Sequence, residues 1–85
     1  MANLAGTNLS DINLIGADLR YADLTEVDLT GANLSRANLT RANLAQANLN
    51  RVTLAYAIFE NTDISDISLM GVDLSQVDLH CAVLR

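Results

Sequence analysis

Eighty-five residues carry ten acidic side chains against five basic ones, all Arg, for a net charge of −5 at pH 7, a balance that excludes a basic nucleic-acid-binding domain. No apolar run of about 18 residues occurs, so no membrane-spanning helix and no membrane partner is expected. Cys81 is the one cysteine, which rules out an internal disulfide.

In chain order, the predicted elements are one five-residue unit written repeatedly. Its centre, position i, falls on Leu4 and on every fifth residue to Leu84. Of these 17 positions, fifteen are Leu, one is Phe59 and one is Ile64. A fixed period of this kind decides the architecture before any local assignment does. A helix turns about 100° per residue, so five residues leave about 140° net and no apolar stripe. A flat strand alternates its faces, and an odd spacing would send successive leucines to opposite sides. The regular solution is a chain that turns a corner once per unit. Position i−2 is always small or β-branched (nine Ala, four Val, two Thr, two Ile) and shares the inward face with i. Position i−1 then points outward, and it is Asn or Asp in 13 of 17 units. The corner falls to i+1 and i+2. All four glycines, Gly6, Gly16, Gly31 and Gly71, occupy i+2, where a turn needs relaxed φ.

The purest stretch, Ala32 to Asn50, reads ANLSR ANLTR ANLAQ ANLN. This pattern resembles the pentapeptide-repeat family, whose unit is A(N/D)LXX. Units centred on Leu4, Leu19, Leu24, Leu34, Leu39, Leu44 and Leu49 match its first three letters. The resemblance covers residues 1–85 as a single domain. It implies an all-β fold, a right-handed quadrilateral parallel β-helix with four units per coil and about four coils. At roughly 4.8 Å between stacked strands, that is a rod about 20 Å long.

On this reading residues 2–21 are the first coil, with Ile15 outward and Tyr21 at a corner. Residues 22–41 carry Asp23, Glu26, Asp28, Arg36 and Arg41. Residues 42–61 end as the least regular copy, with Thr53 and Ile58 in the outward slot. Residues 62–81 hold Asp63, Asp66, Asp73 and Asp78 without a basic partner, and 82–85 are a last partial edge. The repeat begins at Ala2 and leaves no room for a signal peptide, so a cytoplasmic protein is expected. Stacking by 20 gives columns such as Asn3–Asp23–Asn43–Asp63, in which no Asp lies directly above another. Like charges there would repel, whereas an Asn can donate to an Asp above it.

Catalysis needs convergent groups in a concavity, which a regular square rod lacks, so no enzyme and no cofactor are expected. His80 and Cys81 share one corner but lack the further ligands of a metal site. The period of five excludes a calcium β-roll, and the outward columns form no Thr grid of the kind that binds ice. The expected function is a structural or protein-interaction module. The alternative is a DNA-mimicking ligand of gyrase, as some members of the resembled family are. Its candidate acidic face is Asp23, Glu26, Asp63 and Asp66. Duplex DNA over 20 Å shows on the order of 12 charges, and this chain has −5.

Tyr56 and Ile58 form a candidate exposed apolar patch. The bare coil ends are a second candidate surface, since unpaired edges invite pairing and terminal repeats need a cap. Residues 2–21 net −1, whereas 62–81 net −4. A homodimer through the N-terminal ends, at Thr7, Leu9, Leu14 and Leu19, is therefore expected.

Overall fold

The computed structural model describes residues 2–83. Leu84 and Arg85, placed by the sequence on the last partial edge, lie outside the described residues, as does Met1. The described units, that centred on Leu74 excepted, fold by one rule. Residues i−2 to i run between corners, and the middle one bridges to a neighbouring lap. The edges are so short that the described residues form isolated bridges and no longer strand.

All the bridges are parallel and join residues 20 apart, from Asn3 with Asp23 to Asp63 with Val83. One lap of chain therefore takes four units, and the units fall into four columns. The first column is centred on Leu4, Leu24, Leu44 and Ile64, and the second on Leu9, Leu29, Leu49 and Leu69. The third is centred on Leu14, Leu34, Leu54 and Leu74, and the fourth on Leu19, Leu39, Phe59 and Leu79.

Four backbone bonds define a unit. The Leu34 amide donates to the Thr53 carbonyl (2.8 Å) and the Arg36 amide to that of Ala55 (2.9 Å), both one lap on. The Asn33 amide donates back to Ile12 (2.9 Å). The Ala37 amide closes the corner on the Leu34 carbonyl (3.0 Å). The corner residue i+2 takes positive φ in all four glycines and in eleven other residues, between 56° and 74°. That is the sign a type II turn needs at its third residue. Gln76 is the one described corner residue outside this set. At Gly31 a second reason for glycine appears, because a Cβ there would run into the Asp11 carboxylate one lap away.

Positions i and i−2 point inward as the period predicts. Leu24, Leu29, Leu34, Leu39, Leu44 and Leu49 are fully buried, with Phe59 beside them and the i−2 alanines filling the gaps. Thr62 is buried at i−2, and its hydroxyl donates to the Leu39 carbonyl (2.5 Å). Burying a polar group is tolerable only with such a partner. The molecule measures 27 × 24 × 24 Å. It is a squat block, each lap being about as wide as the stack is tall.

The outward Asn and Asp bond differently from the expected ladder. Asn33 Oδ1 accepts from the Ser35 amide (3.0 Å) and hydroxyl (2.7 Å). Asp28 does the same with Thr30 and Asn38 with Thr40. The i+1 amide at the corner has no backbone acceptor, and the Asx side chain two residues earlier supplies one. Where Ser68 occupies the Asx slot, Asn50 of the preceding lap accepts from the Met70 amide instead (2.9 Å).

Candidate functional site

Leu4, Leu9 and Leu14 are half-buried and Thr7 is exposed, its hydroxyl donating to the Leu4 carbonyl (2.6 Å). The amides of Asn3, Asn8, Asn13 and Asp18 have no backbone partner among the described residues. Leu19 departs from the expected end surface. It is only 7% exposed and belongs to the core.

The acidic residues share a face. Asp23 and Asp63 sit in one column with uncharged Asn43 bridged between them. Glu26 and Asp66 stand exposed on that column's corners, with Gln46 between them. The Asp23 carboxylate accepts from the hydroxyl and amide of Thr25, which holds its pKa below the ordinary value. Asp18 pairs with Arg20 through two 2.8 Å bonds, and its pKa falls to about 2. Asp18 and Asp23 are ionised at neutral pH and engaged with the chain's own corners.

Tyr56 is 54% exposed and Ile58 36%. They are not simply an apolar patch, because the Arg36 guanidinium lies over the Tyr56 ring, 5.1 Å from its centroid. The sequence reading missed this contact. Its signal was present, since residues 36 and 56 occupy the same corner one lap apart.

The ladder is interrupted at one place among the described residues. Thr53 and Asp73 do not bridge, and the Tyr56 amide donates to Gln76 (2.8 Å), one residue beyond the regular Ser75. The Leu54 amide is left without a hydrogen-bond partner. A cleft of about 240 Å³ opens there, lined by Arg51, Thr53, Leu54, Asp73, Ser75 and Gln76. A second cavity, also about 240 Å³, lies in the lumen against Leu49, Leu54, Phe59, Leu69, Leu74 and Leu79. Leu74 and Leu79 are 41% and 36% exposed. His80 and Cys81 are exposed on their corner. Among the described residues no group of three or more His, Cys, Asp or Glu could hold a metal ion.

A family model of pentapeptide repeats matches in eight copies, over residues 2–36 and 32–69. Among curated proteins, no sequence matches this chain. Solved structures are similar to it, three of them as follows. The pentapeptide repeat protein Rfr23 from the cyanobacterium Cyanothece 51142 is 33% identical (TM-score 0.79), over 99% of this chain and 54% of its own. The pentapeptide repeat protein alr5209 from Nostoc Pcc 7120 is 31% identical (TM-score 0.82), over 99% of this chain and 81% of its own. QnrB1, a plasmid-mediated fluoroquinolone resistance protein, is 23% identical (TM-score 0.53), over 98% of this chain and 38% of its own, a likeness of fold alone. The chain thus spans about half the length of Rfr23.

Proposed function

The chain belongs to the pentapeptide-repeat family, and from that premise we propose that it is a non-enzymatic scaffold presenting fixed side chains to a protein partner. The scaffold on this reading is a right-handed, four-sided β-helix of about four laps. One observation carries the proposal. The recurring polar side chains, from Asn3 and Asn8 to Asp73 and Asp78, accept hydrogen bonds from amides two residues on. They are occupied in holding corners, so the chemistry left over lies in the variable corner residues. A corner locked by both its backbone and its neighbouring side chain displays those residues with little freedom to lose on binding.

The immobilised protein should retain a defined partner from a lysate of its native host. Retention should survive Gly6→Ser at an open corner, where a Cβ meets nothing. Failure to retain any protein above background would count against the scaffold reading.

Self-association is the second part of the proposal. The unpaired amides along residues 2–21 and the half-buried Leu9 and Leu14 support a homodimer through this edge. The edge at residues 62–81 is more apolar, yet its four Asp would crowd within a Debye length of about 8–10 Å if two such edges met. Sedimentation of folded Thr7→Lys and Ile67→Lys proteins decides between them. The Thr7 variant should become monomeric. A dimeric Thr7 variant beside a monomeric Ile67 variant would reverse the assignment.

A further inference from the structure

We propose that the fourth column, with the corners on either side of it, is a docking surface for an acidic protein segment that carries an apolar side chain between its carboxylates. The proposal rests on the scaffold reading and names the partner chemistry of that scaffold. Both tyrosines of the chain stand on these corners. Tyr21 and Arg41 share one corner line. The Tyr21 amide donates to Thr40 (3.0 Å), which sets Arg41 one lap on. Arg36 and Tyr56 share the other, with the guanidinium stacked on the ring. Between the two lines lies Ile58, bridged to Asn38 on one side and Asp78 on the other. It is an exposed apolar residue in a slot that is Asn or Asp in the other three laps of this column.

These placements are chemically unlike the rest of the surface. Positive φ is readily adopted by Gly and tolerated by Asn and Asp, and it is least natural for bulky side chains. Tyr21 and Tyr56 hold φ of 64° and 63°. Tyr and Arg are also the residues that dominate binding hot spots. The fourth column and its flanking corners carry Arg20, Arg36 and Arg41 against Asp18, Glu60 and Asp78, a net of zero in a molecule of −5. Asp18 is paired with Arg20, and the two middle laps, residues 35–41 and 55–61, hold Arg36, Arg41 and Glu60, a net of +1. Neither Arg36 nor Arg41 has an ion-pair partner among the described residues. Stacking on Tyr56 orients the Arg36 fork while leaving its N–H edge free for a carboxylate.

The charge pattern selects the occupant. A nucleic-acid backbone needs several cations in line, and two arginines on an acidic block do not supply them. A second copy seated by its Asp23–Glu26 side would join unlike surfaces and propagate as a filament. An acidic segment with two carboxylates reaches Arg36 and Arg41 together and covers Ile58.

The test titrates the intact protein against a fluorescein-labelled hexapeptide alternating Glu and Leu. A Lys–Leu hexapeptide and a short DNA duplex serve as comparisons. The Glu–Leu peptide should bind and shift amide resonances of residues 36–41 and 56–61. Affinity should fall about tenfold in the Arg36→Gln/Arg41→Gln protein, and several-fold in Tyr56→Ala, for loss of paired charge and of an aromatic anchor. Circular dichroism checks that both variants are folded. No binding up to about 1 mM, equal binding of the Lys–Leu peptide, preference for DNA, or binding unchanged by the double substitution would each overturn the proposal. So would filament growth with protein concentration that the double substitution abolishes. If the double variant still retains the lysate partner at full level, this surface is wrong while the scaffold reading stands.

Discussion

The conformation of single corner residues carries much of the strain in this protein. A left-handed residue other than Gly costs roughly 1–2 kcal/mol. Gly16→Ala, in open space at φ 68°, should therefore lower stability by about 1 kcal/mol in urea unfolding. Gly31→Ala should lower it further, because the Asp11 carboxylate must also move aside. Equal losses would mean that Asp11 moves freely. The Asx side chains set the pH response. Hydroxyl and amide donation from Thr30 depresses the Asp28 pKa, as Thr25 does for Asp23 and Arg20 for Asp18. A depressed folded pKa means that the unfolded chain binds protons first as pH falls. The stabilisation is present above the ordinary carboxylate value of about 3.9 and is lost as pH drops through the folded values. Stability should decline below about pH 4, and Thr30→Ala should move the Asp28 carboxyl pKa up toward its ordinary value by carbon NMR. An unmoved Asp28 pKa would mean that the hydroxyl is not the cause.

At the scale of the five-residue unit, inside and outside differ by one position. Leu34 is fully buried, whereas Ser35 is half-exposed at the corner. Leu34→Arg should unfold the protein by burying an unpaired charge, and Ser35→Arg should change stability by less than about 1 kcal/mol. Equal effects on thermal unfolding would refute the inward register. The interrupted rung makes a second prediction. The Leu34 and Leu44 amides donate to carbonyls one lap on (2.8 and 2.7 Å), and the Leu54 amide donates to none. In native-state hydrogen exchange Leu54 should lose its proton well before Leu34 and Leu44. Comparable protection would mean that the rung closes in solution.

Across the whole molecule, burial is concentrated between Leu19 and Ile64, and the laps at either end are half-exposed. Stability therefore resides in laps stacked on both faces, as expected of a solenoid. The acidic face is interrupted by the neutral lap of Asn43 and Gln46, and the block is nearly as wide as it is long. Neither feature suits a continuous imitation of duplex DNA, whose charges recur about every 1.7 Å. The protein should leave gyrase supercoiling uninhibited at micromolar concentration. Inhibition that salt abolishes would favour the DNA-mimic reading.

The sequence alone determined the inward residues, because an unbroken period of five admits one register. It also determined which residues stack, once a lap of 20 was accepted, and the bridges from Asn3 to Asp23 and from Asp18 to Asn38 follow those columns. Tertiary structure decided what one-dimensional spacing cannot hold. The Asx side chains turned to their own corners because the i+1 amides there lacked an acceptor. Leu19 is buried, unlike Leu4, Leu9 and Leu14 of the same lap. The unit VDLSQ at 72–76 differs from VDLTG at 27–31 at the corner, where Gln76 stands in place of a glycine and does not take positive φ. It loses its rung, although Gln46 at the same position of another unit keeps positive φ. The pairing of Arg36 with Tyr56 was decided there too, since it depends on two corners a lap apart coming into register with side chains long enough to stack.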